Sequence, residues 1–258
     1  MNASSDSQNT ADHKFAADDQ FTADRDANSV QRLREREKAR STRPFVTRGS
    51  RLTRCEQCLL ATHLCVCDAR PEPTEGTAVC LVYFRGEVFK PSNSGRLIAD
   101  VLADNHAFLW ARQQPEPELK ALLNNPDYAP VLIFPTQYAA PERCIEGQRG
   151  IEEFARQCAA QQQKPLLVFL DGTWREARKM FRSDWLQGIP VLGIEPEQAA
   201  QYGLREAFHE HQLGTAEVAI QVLAALGDST AAQQLADYFA VFRHNYLQGK
   251  PGREAPTA

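Results

Sequence analysis

Apolar and polar positions divide the chain into short apolar runs and longer stretches of helical period. Five runs read as strands: residues 77–84 (TAVCLVYF), 107–110, 129–135 (APVLIFP), 166–170 (LLVFL) and 189–194. Five apolar residues without a polar interruption, as in 166–170, are the pattern of a strand covered on both faces of a parallel sheet. Helical spacing fills the intervals. Residues 95–103 place Leu97, Ile98, Val101 and Leu102 at helical intervals, 111–125 read as a polar loop and helix, and 150–162 as an amphipathic helix. Residues 178–186 continue a helix that starts after Trp174, while 215–226 (TAEVAIQVLAAL) and 231–246 form two apolar helices. Strands alternating with helices predict an α/β fold, with a mainly parallel sheet and helices on both faces.

The first 50 residues stand apart from this pattern. Residues 1–29 are polar and Asp-rich, the composition of a disordered segment. Residues 30–40 (VQRLREREKAR) are helix-prone. They read either as a segment that folds on contact with RNA or as a solvated helix in a flexible leader. The chain therefore divides into an arm at 1–50, a small cysteine-rich zinc knuckle at 51–70 and a main body at 76–250.

Composition narrows the class. The 258 residues are 43% hydrophobic and 24% charged, which suits one globular domain with appendages. The net charge of −4 is unevenly spread. Residues 1–29 carry −4, residues 30–54 carry +7 from nine Lys or Arg against Glu35 and Glu37, and the remainder carries −7. A basic arm on an acidic body still suits nucleic acid, because phosphate attraction acts over a Debye length of roughly 8–10 Å. No apolar run approaches the roughly 18–20 residues of a membrane span. MNASSDSQNT lacks the layout of a signal peptide. No feature points to a protein partner.

Seven cysteines is an odd number, and four of them lie between positions 55 and 67. That argues for a reducing compartment, the cytoplasm, and for a metal rather than a disulfide framework. Cys55-x2-Cys58 lets two thiolates reach one metal from a single turn, and Cys65-x-Cys67 supplies two more. Four thiolates close a tetrahedral structural zinc site and leave no position for water. An iron–sulfur cluster uses the same ligand number, and His63 is an alternative ligand. A segment this short needs the metal to hold it together.

Candidate chemistry concentrates in residues 165–181, PLLVFLDGTWREARKMF. The strand ends in Asp171-Gly172-Thr173-Trp174, and a charged helical pattern follows. Open α/β sheets bind ligands at the carboxyl ends of their strands. Gly172 permits close backbone approach or a positive φ, and Thr173 is placed to cap the helix. An ordinary strand–turn–helix connection would look the same on spacing alone. Ser92, Asn93 and Ser94 stand at the start of the 95–103 helix, a natural place for caps.

These residues carry a resemblance. Asp171-Gly172-Thr173-Trp174 with Arg175-Glu176-Ala177-Arg178-Lys179-Met180 resembles the signature of the DTW-domain family. So do the four cysteines, Lys90-Pro91-Ser92-Asn93-Ser94-Gly95-Arg96-Leu97, Tyr202-x-Leu204-Arg205 and Thr215-Ala216-Glu217, in order across residues 55–250. Glu87 matches an acidic position of the family, whereas Tyr83-Phe84-Arg85-Gly86 stands where most relatives have His-Pro. The family comprises tRNA-uridine aminocarboxypropyltransferases related to the SPOUT class of RNA-modifying enzymes.

The resemblance implies a SPOUT-like fold with a knotted cofactor pocket. It also implies transfer of the 3-amino-3-carboxypropyl group of S-adenosylmethionine to N3 of a tRNA uridine, expected in the variable loop at position 47. Asp171, Asn93 and Arg205 are the expected catalytic residues, with Asp171 either the general base or the acceptor for the donor ammonium. Arg205 would clamp the donor carboxylate or an RNA phosphate. Ser92, Ser94, Gly172, Thr173, Trp174, Thr215 and Glu217 would line the donor pocket. Trp174 would stack on a base or on adenine, or sit buried as an anchor of its helix. Arg175, Arg178 and Lys179 alternate with acids and suit a solvated face, and His209 and His211 suit a loop. Two rivals remain: a SPOUT-like RNA methyltransferase, separated by product mass, and a non-catalytic zinc-containing RNA-binding protein, which would not need Asp171 and Asn93 at strand ends.

Overall fold

A computed structural model describes residues 27–42, 52–193 and 214–249. Six strands form one sheet in the order β2-β1-β5-β3-β6-β4. They are β1 (Ala78–Tyr83), β2 (Asn105–Leu109), β3 (Tyr128–Ile133), β4 (Cys144–Ile145), β5 (Lys164–Asp171) and β6 (Val191–Leu192). Every pairing is parallel, as the unbroken apolar runs require.

Seven α-helices are described: α1 (Ser29–Arg40), α2 (Gly95–Val101), α3 (Pro117–Leu123), α4 (Gly147–Ala160), α5 (Trp174–Phe181), α6 (Thr215–Ala225) and α7 (Ser229–Gln248). Alternate residues of the central strands feed two cores. Val79, Leu81, Leu167 and Phe169 pack beneath α1, α2, α4, α6 and α7. Cys80, Val82, Leu166 and Val168 pack beneath α3 and α5. Helices therefore cover both faces.

The connections diverge beside Asp171. From β1 the chain crosses by α2 to β2 on one side, while from β5 it crosses by α5 to β6 on the other. β1 and β5 are neighbours in register, with Tyr83 opposite Asp171 at their carboxyl ends. Crossovers diverging from adjacent parallel strands open a cleft at those ends, the usual ligand position of such sheets. The knot expected in the cofactor pocket depends on how the chain runs from Gly193 to Gly214, outside the described residues.

Three elements differ from the expectation. The helix after Trp174 ends at Phe181, and a 3-10 turn at Asp184–Leu186 replaces its predicted continuation. β4 is only two residues long, too short for a periodicity to register. Most importantly, α1 is docked on the body rather than solvated. Asn28 and Gln31 form a capping box at its start. Its mean hydropathy is low, but Val30 and Leu33 sit on one face and are buried in the core. Two well-placed apolar residues suffice where the receiving surface already exists.

Leu33→Ala in RNA-free protein should lower unfolding free energy by about 2–5 kcal/mol, the usual cost of emptying a buried leucine site. A urea titration reads this directly, and an unchanged midpoint would mean that α1 does not dock unaided.

Candidate active site and metal centre

Asp171 is the last residue of β5 and is only 5% exposed. Its Oδ1 accepts a hydrogen bond of 2.8 Å from Nδ2 of Asn93, also buried. Its Oδ2 is buried with no hydrogen-bond partner among the described residues. Burial pushes the Asp171 carboxyl up to about 7, with the nearby charge of Glu87 adding to the rise. The Asn93 amide, the Thr215 hydroxyl (near the carboxylate but outside hydrogen-bonding geometry) and Lys90 oppose it by favouring the charged form. Glu87 is itself buried and ion-paired with Lys90.

The loop between β1 and α2 brings Asn93 to this place. Gly86 turns it with φ of 92°, in the left-handed region that favours glycine. Asn93 accepts the Arg96 N–H at 3.3 Å, so Asn93 caps α2 and hydrogen-bonds Asp171 with the same amide group. Gly95 then begins the helix against the carboxylate. A Cβ at Gly95 would stand 2.2 Å from Asp171 Oδ2 and 3.3 Å from the Tyr83 hydroxyl. That hydroxyl is likewise buried and without a partner among the described residues.

The start of α6 closes the other side. Ser94 does not cap its own helix; its Oγ accepts from the Ala216 N–H at 3.3 Å, across 122 residues of chain. Glu217 is buried and accepts from the Gly214 N–H at 2.6 Å. Burial raises the Glu217 carboxyl, against the Gly214 N–H and Arg243. Ser92 is exposed at the rim. Arg205 lies outside the described residues, as do Tyr202, Leu204, His209 and His211.

The turn after Asp171 is tight rather than left-handed. Gly172 has no positive φ, but an added Cβ would meet the Cβ atoms of Glu176 and Phe84 at 3.2 Å. Glu176 accepts both the N–H of Thr173 at 2.8 Å and its hydroxyl at 2.6 Å. The start of α5 is thus answered by an internal carboxylate. Trp174 is 39% exposed, so it is not a buried anchor. Its ring stacks on Phe134 (5.5 Å, 10°), and Phe134 stacks on Phe181 (4.4 Å, 14°), leaving Trp174 at the outer end of a three-ring column. Beside the column lies a cavity of about 330 Å³ lined by Phe134, Tyr138, Arg178, Phe181, Arg182 and Gln187. Arg178 sits 5.1 Å over Tyr138, and Lys179 lies 5.2 Å from the Trp110 ring. Of the basic residues on α5, Arg175, beside Trp174, and Lys179 are exposed, and Arg178 is half-buried.

The four cysteines meet. All four Sγ atoms of Cys55, Cys58, Cys65 and Cys67 lie within 4.8 Å of one another, and His63 is not among them. Cys55 to Cys67 is 3.6 Å and Cys58 to Cys65 is 3.8 Å. Bonds of about 2.3 Å to a tetrahedral zinc imply sulfur separations of roughly 3.8 Å. A cluster of several irons would spread the sulfurs farther, because they would be shared among separate irons. For Cys55, burial opposes ionisation but the N–H groups of Cys58 and Gln57 outweigh it and lower the thiol to about 7.

Sequence reasoning missed two contributors, Tyr83 and Gly95. Tyr83 reads as one more apolar-run residue, and only the register opposite Asp171 reveals its place. Gly95 at a helix start was a legible anomaly, since glycine is a poor helix former. Gly95→Ala should cost about 1–3 kcal/mol by overpacking against Asp171. Thermal unfolding tests this, and an unchanged midpoint would mean that the carboxylate has room to move.

Among the described residues no helix is long and apolar enough to cross a membrane. No solved structure matches the chain. The family model described as the DTW domain matches residues 52–247, from just before the four-cysteine centre to the last turn of α7. The chain belongs to the DTW-domain family, which is associated with tRNA modification.

Proposed function

We propose that the protein transfers the 3-amino-3-carboxypropyl group of S-adenosylmethionine to N3 of a tRNA uridine, and that one zinc ion on Cys55, Cys58, Cys65 and Cys67 holds the knuckle in shape. The observation that carries the transferase reading is Asp171. It is a buried carboxylate at the divergence of two crossovers, with one oxygen oriented by Asn93, the other unpartnered, and a pKa raised to about 7. Such a group is substantially ionised at neutral pH yet basic enough to take a proton from a weakly acidic nitrogen.

The donor's sulfonium makes its attached carbons electrophilic. As N3 of the uridine bonds to the propyl carbon, the carbon–sulfur bond breaks, methylthioadenosine leaves with the electron pair, and the N3 proton passes to Asp171. The residues serve mainly to align these partners, so that the amino acid chain rather than the methyl group faces the nucleophile. Ser92, Ser94, Gly172, Thr173, Thr215 and Glu217 are the residues we expect to line the donor pocket around Asp171. Arg205 is the expected clamp for the donor carboxylate. The exposed ring of Trp174 and the neighbouring Arg175 suit a base and a phosphate of the RNA. A variable-loop uridine and a cytoplasmic setting complete the reading.

Unmodified tRNA incubated with the protein and S-adenosylmethionine should yield aminocarboxypropyl-uridine by nucleoside mass spectrometry, and Asp171→Ala should abolish it. A methylated nucleoside would keep the site and overturn the donor geometry. A complete tRNA pool without modified nucleoside would overturn the reaction. At saturating donor, kcat should fall about tenfold per pH unit below a midpoint near 7 and level off above it, since only the carboxylate accepts the proton. Asn93→Ala removes a hydrogen bond that favours the charged form, so the midpoint should move upward. If kcat is flat and the donor KM alone carries the pH dependence, Asp171 binds the ammonium instead.

A further inference from the structure

Two arginines lie buried near the four-cysteine centre, and neither takes part in the chemistry described above. Arg34 on α1 and Arg96 on α2 are each 3% exposed. Arg34 donates from Nη2 to the carbonyl of Gln57, the residue before Cys58, at 3.0 Å, while its Nη1 is buried without a partner among the described residues. Arg96 is more exceptional: Nε, Nη1 and Nη2 are all buried without a hydrogen-bond partner among the described residues. Its guanidinium lies 4.9 Å over the ring of Phe242 on α7. Cys58, itself 2% exposed, packs in the same core as Phe242.

Buried cations without counter-charge cost several kcal/mol each. Burial depresses both arginines; the charge of Arg96 depresses Arg34 further, while Cys58 is the strongest opposing influence on Arg96. The buried carboxylate nearby, Asp100, is already held by Arg70 at 3.1 Å, by Asn28 at 2.7 Å and by Tyr238 at 3.3 Å. Among the described residues two positive charges are therefore left over. Four thiolates around one divalent ion carry a net charge of two negatives, which balances them.

We propose that Arg34 and Arg96 are the built-in counter-charges of the metal-bound tetrathiolate, and that through Arg96 the metal centre fixes α2, whose first residue, Gly95, abuts Asp171. The inference rests on the metal reading above but not on the reaction. It gives the knuckle a second role besides holding its own loop: occupancy of the metal site sets the position of the helix that Asn93 caps and that presents Gly95 to the carboxylate.

The test is the rate at which zinc passes from the full-length protein to a chromogenic chelator, after metal content has been measured. Arg96→Gln, which removes the charge, should release zinc about 10–100-fold faster than the wild type, the usual effect of losing a partner of metal ligands. Arg96→Lys, which keeps the charge, should stay close to the wild-type rate. Release from Arg96→Gln at the wild-type rate overturns the proposal. So does equally fast release from Arg96→Lys and Arg96→Gln, which would assign the side chain to packing. If Arg96→Gln does not fold, the same comparison on Arg34→Gln and Arg34→Lys decides. Protein purified without metal overturns both this inference and the metal reading, whereas bound metal with unchanged release overturns this one alone.

Discussion

The structure turns on the burial of one carboxylate. Asp171 is carried into the interior at the end of a strand that is apolar over five consecutive positions, and the sheet gives it no water. A charge in that place is tolerated only because Asn93 hydrogen-bonds one oxygen and because Lys90 and the Thr215 hydroxyl favour the charged form. Those partners come from two remote segments, the loop before α2 and the start of α6, so the carboxylate dictates how the loop and both helices meet. Ser94 fastens them further by receiving the Ala216 N–H. Gly95 is the steric consequence: only a residue without a side chain fits between the helix and Oδ2.

The same logic of charge matching organises the N-terminal third. Buried Asp100 and Tyr238 and half-buried Arg70 and Asn28 form one hydrogen-bonded group, with Arg34 and Arg96 beside it, drawn from α1 and its cap, α2, α7 and the cysteine knuckle. Polar interiors of this kind contribute less to raw stability than to specificity, since each partner is satisfied in one arrangement only. That explains why α1, with little apolar surface of its own, is still seated on the body. Val30 and Leu33 supply the burial; Asn28 reaching Asp100 and Arg34 reaching the Gln57 carbonyl set the orientation.

Much of the architecture was legible in the chain because parallel sheets write their strands as uninterrupted apolar runs. Residues 77–84, 129–135 and 166–170 identify β1, β3 and β5 within a residue or two at most boundaries. Spacing alone also brought the four cysteines together correctly. What escaped were features that live between segments. Tyr83 becomes part of the site only through its register against Asp171. Ser94 looks like a cap for its own helix and instead serves another one. Trp174 looks like an anchor because tryptophans are usually covered, but the stack on Phe134 secures one face and leaves the other open. The low hydropathy of α1 hid its docking because two buried side chains do not move an average.

That open tryptophan face gives the crevice two distinguishable approaches. On the side of α2 and α6 the groups are small, polar and largely engaged with the chain: Asn93, Ser94, Thr215 and Glu217. On the side of α5 they are aromatic and cationic, with Trp174 exposed, Arg178 over Tyr138 and Lys179 beside Trp110. The directed hydrogen bonds of the first set would suit the amino-acid end of the proposed donor. A base on a phosphate backbone matches the second, which offers ring faces and positive charge tolerant of sequence. Asp171 lies where the two approaches converge, because β5 sends α5 one way while β1 sends α2 the other. The diverging crossovers thus set two chemically different surfaces on either side of one carboxylate, which the proposed reaction needs, since its two substrates differ in size, charge and rigidity and must meet at a single nitrogen.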